Sequence, residues 1–149
     1  MNPTASSAND TAARPTAKPI VRHAVTAARV LTGLMFFVFG LNGFLNFIPP
    51  PSTPLPAGAM AFATALVQTG YMMPLIAGTQ LVVGALLLIN RFVPLALVLI
   101  APFIVNSIAF HLFLEPSGRP MAGIVLALEL FLAWSYRAAY RPLLTPRTN

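Results

Sequence analysis

The sequence predicts an all-α fold, an integral-membrane four-helix bundle, and three observations carry that prediction. Four apolar stretches, Ala27 to Ile48, Tyr71 to Asn90, Phe92 to Leu114 and Met121 to Tyr136, fill most of the chain. Each is read as a spanning helix, which needs roughly 20 residues to cross about 30 Å of hydrocarbon at about 1.5 Å per residue. The composition agrees: 57% of the 149 residues are hydrophobic and 8% are charged, which suits one bundle-sized domain solvated by lipid. The basic residues then orient the bundle. Arg14, Lys18, Arg22 and Arg29 precede or open the first span, Arg91 lies between the second and third, and Arg137, Arg141 and Arg147 follow the fourth. Arg119 is left alone on the opposite side. By the positive-inside rule both termini and the middle loop are cytoplasmic.

The net charge of +6 has this topological origin. The basic residues form no patch with interleaved stacking aromatics, so nucleic acid is not an expected partner. Aromatic residues flank the spans as an interfacial belt, with Phe44, Phe47, Tyr71, Phe110 and Phe113 toward the outer side and Phe92, Trp134, Tyr136 and Tyr140 toward the inner. The chain has no cysteine, which removes disulfides, thiol nucleophiles and thiolate metal ligation from its chemistry.

Taken in order, residues 1–24 are rich in Ala, Thr, Ser and Pro and read as a disordered cytoplasmic tail. Residues 25–144 form the four-helix domain, and residues 145–149 a C-terminal tail. A cleaved signal peptide is not expected, because the first apolar run is too long for a signal core and Ala57-Gly58-Ala59 lies too far beyond it. The prolines from Pro49 to Pro56 end the first helix and impose an extended course. Ala57 to Gly70 is uncharged and moderately apolar, and it predicts a short interfacial or re-entrant helix between helices 1 and 2, with Gly70 as its stop. Asn90-Arg91 is so short a connection that the second and third helices must be antiparallel neighbours, and Glu115 to Pro120 reads as a tight outer turn. Gly33, Gly40, Gly78 and Gly84 are expected where helix backbones approach closely, and Pro102 where the third span bends.

With the orientation fixed, the polar residues inside the spans fall at one depth. Asn42 and Asn46 lie in the outer half of the first helix, Gln80 near the middle of the second, Asn106, Ser107 and His111 in the outer half of the third, and Glu129 near mid-depth in the fourth. They predict a pocket open toward the outside, with Gln80, Asn106 and Glu129 facing one another. Glu129 should face the bundle interior, because an unpaired carboxylate in hydrocarbon is costly; it serves there either ligand binding and proton handling or a packing hydrogen bond. The amides also have a plain use as interhelical hydrogen bonds. His111 and Glu115, four apart, share a helical face, but His23 lies across the membrane and no third strong ligand accompanies the pair. A metal site is therefore not expected.

The segments RVLTGLMFFVFGLNGFLNF, ALVQTGYMMPLIAGTQLVVGALLLINRFVPLALVLIAPFIVN, FHLFLEPSG and ALELFLAWSYR resemble the DoxX family of small four-helix membrane proteins, over roughly Arg29 to Leu144. The resemblance implies a multi-pass protein of the bacterial inner membrane. Some family members are the membrane subunit of a thiosulfate:quinone oxidoreductase, and distant eukaryotic relatives act as assembly chaperones. Many members carry a carboxylate in the second helix where this chain has Gln80, which leaves Glu129 as the charged candidate. Two expectations follow. One is an accessory or redox-linked subunit whose pocket holds a quinone or similar flat hydrophobe, bound through Asn42, Asn46, Gln80, Asn106, His111 and Glu129, while a membrane protein partner supplies electrons. The other is a non-enzymatic scaffold or assembly factor for a partner protein.

Overall fold

A computed structural model describes residues 19–49 and 52–144, and every regular element among them is helical. The tail assignments at residues 1–18 and 145–149, and Pro50 and Pro51 of the proline-rich loop, lie outside the described residues. The chain forms α1 (Pro19–Leu45), α2 (Ala57–Gln68), α3 (Met72–Leu88), α4 (Val93–Phe113) and α5 (Arg119–Ser135), with 3₁₀ turns at Pro116–Gly118 and Arg137–Leu144. Three helical stretches, α1, α4 and the run from Pro116 to Ser135, are long and apolar enough to cross a membrane. A fourth span arises if α2 and α3, bent by 90° at their junction, count as one. These helices make the chain a multi-pass membrane protein in contact with the bilayer.

The helix ends follow from local chemistry. α1 begins at Pro19, earlier than the apolar run suggested, because the residues before Ala27 contain no breaker after that proline. It ends where Asn46 turns left-handed, at φ 49°, and the Asn42 side-chain oxygen accepts the Ile48 amide at 2.7 Å. α2 stops at Thr69 and Gly70. The Thr69 hydroxyl donates to the Leu66 carbonyl at 2.6 Å and accepts the Met72 amide at 3.1 Å, and Gly70 has φ 74°, a conformation glycine adopts without strain. Asn90 and Phe92 are both left-handed, which folds α4 back beside α3 across a minimal connection.

Arginines finish three of the helices. Arg29, buried on α1, donates to the Leu87 carbonyl and reaches that of Leu88 at 3.4 Å, in the last turn of α3. Arg119 donates to the His111 and Leu112 carbonyls of α4 at 3.1 and 2.8 Å, and Arg137 to the Trp134 carbonyl of α5 at 3.0 Å. A cation at a helix C-terminus meets both free carbonyls and the negative end of the helix dipole.

Packing runs α1 against α3, α3 against α4, α4 against α5, and α5 back against α1. The α1–α3 contact is the closest: a methyl on Gly84 would meet the Phe37 Cα at 2.6 Å, and one on Gly40 the Ala77 carbonyl at 2.8 Å. Helices in lipid associate by this kind of close fit, since apolar burial there brings little. Gly78 departs from the expectation of close packing. Only the tip of Phe44 comes near it, at 3.9 Å. The interior is filled by Phe36, Val83, Leu87, Leu97, Ile100 and Leu132, whereas Leu31, Val82, Leu95, Val105 and Leu130 face outward, an exterior suited to hydrocarbon. α2 meets the bundle through fully buried Ala59 and through Phe62, whose ring lies 5.6 Å from that of Phe110 on α4.

Candidate functional site

A cavity of about 360 Å³ opens among α1, α3, α4 and α5, a size suited to a small organic ligand. Its walls are apolar, with Met35, Phe36, Met73, Phe103 and Met121 among them, and the rings of Phe36 and Phe103 meet edge to face at 6.1 Å. Four polar side chains interrupt these walls: Asn42 from α1, Gln80 from α3, and Ser107 and His111 from α4. Ser107 and His111 are four apart and therefore lie on one helical face.

The polar groups are not equivalent. The Asn42 oxygen is taken by the Ile48 amide, so its NH₂ is the end left for a ligand. Gln80 is buried with no hydrogen-bond partner among the described residues, which leaves both a donor and an acceptor. His111 is held from outside the cavity. Its Nδ1 lies 3.0 Å from the Glu115 carbonyl oxygen and 2.9 Å from the Glu115 carboxylate. Both oxygens only accept, so Nδ1 carries the hydrogen, and in the neutral ring Nε2 presents a lone pair.

Glu115 is itself fixed by the turn that follows it. Its carboxylate accepts from the Ser117 hydroxyl, from the Ser117 amide at 3.2 Å and from the Gly118 amide at 2.9 Å. The Ser117 hydroxyl is the largest influence holding its pKa below the ordinary 4.5; desolvation opposes it, and the Gly118 amide and His111 help. Gly118 is required by the ring. A methyl there would collide with Cε1 and Nδ1 of His111 and lie 2.9 Å from the carboxylate.

The structure therefore brings together Asn42, Gln80 and His111, with Ser107 beside them, and places the remaining three expected residues elsewhere. Asn46 is exposed at the end of α1, where its amide donates to the Asn42 carbonyl at 2.8 Å. Asn106 is exposed and lines a separate groove of about 250 Å³ between α3 and α4, beside Thr79 and Pro102. Glu129 is buried but does not line the cavity, and one of its carboxylate oxygens has no partner among the described residues. The Tyr140 hydroxyl donates to the Pro94 carbonyl at 3.2 Å, and its pKa is raised first by burial and then by the Glu129 charge. Gln80, Asn106 and Glu129 thus do not share one site.

The roles of Arg29, Glu115 and Gly118 were not foreseen. The sequence offers Glu115 as the start of a turn and, with His111, as one of two metal ligands; its oxygens are occupied by the turn and by His111, and no group of three or more His, Cys, Asp or Glu gathers among the described residues. Pro116 and Gly118, which set a tight turn directly after the carboxylate, are the sequence signal for its capping role. No family model, curated protein or solved structure matches this chain, so its own residues carry the functional reading.

Proposed function

We propose that the chain is a DoxX-like inner-membrane protein that serves as an accessory or redox-linked subunit and holds a quinone or a similar flat hydrophobe in its cavity. The observation that carries this reading is the cavity itself, an apolar slot among four helices with Asn42, Gln80, Ser107 and His111 at its polar positions. The Asn42 and Gln80 amides would hydrogen-bond the ring oxygens of such a molecule, and Phe36 and Phe103 would pack its faces. When bound, a quinone supplies the capacity to take or give electrons; with no cysteine in the chain, a partner protein exchanges them.

The distribution of basic residues supports cytoplasmic termini and a cytoplasmic Asn90-Arg91 turn, which sets the cavity nearer the outer face of the bacterial inner membrane. On this reading α2, apolar and seated on the end of α4, lies in the outer interface. The test is purification in mild detergent followed by mass spectrometry of co-extracted small molecules and proteins. The expected result is a quinone near one per chain, lost by roughly fivefold in Gln80→Leu, the size of one net hydrogen bond. A stoichiometric partner protein with no small molecule would replace this reading with that of a scaffold.

A further inference from the structure

We propose that the cavity selects a ligand bearing a hydroxyl group, a hydroquinone or phenol, over the corresponding carbonyl compound, and that His111 makes the selection. The proposal rests on the reading of the cavity as a ligand site and adds to it which chemical form is bound.

The selection follows from where hydrogens can be. Nδ1 of His111 stands between two oxygens of Glu115 that only accept, at 2.9 and 3.0 Å, so the ring's hydrogen is committed away from the cavity. Three further donors, the Ser117 hydroxyl and the amides of Ser117 and Gly118, fix that carboxylate in place. The ring cannot swing to reverse its nitrogens without leaving this cradle, and it also makes an edge contact with Phe110, at 5.1 Å between ring centroids. His111 lines the cavity, and with Nδ1 committed to Glu115 the nitrogen left for a ligand is Nε2, which in the neutral ring carries a lone pair and no hydrogen.

The other polar groups do not oppose this choice. Ser107 and Gln80 can each donate or accept, and the free end of Asn42 donates. A ligand carbonyl set against Nε2 would place two acceptors together in an apolar slot, with the desolvation of both uncompensated. A ligand hydroxyl would satisfy both, and a second oxygen on the same ring could accept from Asn42. Of the four polar side chains, His111 alone distinguishes the two forms.

The experiment compares a decyl-tailed benzoquinone with its two-electron-reduced hydroquinone. Binding is measured by calorimetry on the detergent-solubilised full chain, without oxygen, at about pH 8, above the ordinary imidazole range. The expected result is about fivefold tighter binding of the hydroquinone, one neutral hydrogen bond's worth. In His111→Phe both forms should still bind, with a ratio close to one. Equal binding in the unchanged protein, tighter binding of the quinone, or a preference that survives His111→Phe would overturn the selection while leaving the cavity a ligand site. Binding of neither form would overturn both. The unchanged protein also gives a reading that needs no variant. With only two histidines in the chain, ¹⁵N-histidine spectra should show His111 Nε2 unprotonated and shifted by the hydroquinone, and a protonated Nε2 paired with a bare Nδ1 would sink the proposal.

Discussion

Glu115 acts locally: its oxygens close one turn and steer one ring, and among the described residues no arginine pairs with it. Because its pKa lies below the ordinary 4.5, the stability it adds is fully present above that value and lost as pH falls through the lower one. Hydrogen exchange at the Ser117 and Gly118 amides, corrected for intrinsic rates, should therefore accelerate only below pH 4.5, and Glu115→Gln should abolish the step. Unchanged protection in acid would show that the turn holds without the charge. Spacing makes these residues visible in the sequence, but a common depth does not fix which face of its helix each occupies. Asn106 and His111 are five apart, about 140° around the helix, so they cannot look into the same space. Ser107, one turn from His111, can. Glu129 fails for the opposite reason: four residues beyond Val125, which lines the cavity, it shares the face but lies about 6 Å further along.

Between elements, the glycines of α1 and α3 decide how close the helices come. Gly84→Ala would push a methyl into the backbone of Phe37, and the expected loss is about 1 to 3 kcal/mol, as for overpacking elsewhere. Gly123→Ala on α5 meets nothing within 4 Å and should be neutral, or stabilising by up to about 1 kcal/mol through helix propensity. Thermal unfolding in mild detergent checks both, and equal melting temperatures would show that the α1–α3 contact can relax. Small residues in an apolar run mark close packing in general, but which glycine meets a neighbour depends on helix rotation. That is why Gly84 fulfils the expectation and Gly78 does not.

Across the whole molecule, the apolar stretches were legible because a spanning helix leaves a strong signal in a single sequence, and the prolines marked the break before α2. The 17-residue α3 was legible as apolar and Gly70 as the stop before it, but the size of the bend, 90°, was not, because it depends on the backbone at Thr69 to Tyr71. A reporter active only in the cytoplasm should give signal when fused after Asn149 and none when inserted between Ser52 and Leu55. The opposite pattern would invert the proposed orientation.

The arginines that finish α3, α4 and α5 bear on how this chain tolerates mutation. A charge held by a carboxylate can be stranded by one substitution in its partner, leaving a costly unpaired ion. Arg29, Arg119 and Arg137 are held by main-chain oxygens, which persist whatever side chain sits above them. For Arg29 and Arg119 the mutable end of the tether is the arginine alone, whereas Arg137 also lies over the Trp134 ring, 4.9 Å from its centroid. The Leu112 side chain can change without loosening the grip of Arg119, whereas Leu87 stays fixed as part of the core, and His111→Phe removes a ring nitrogen from the cavity without taking from Arg119 the carbonyl it grips.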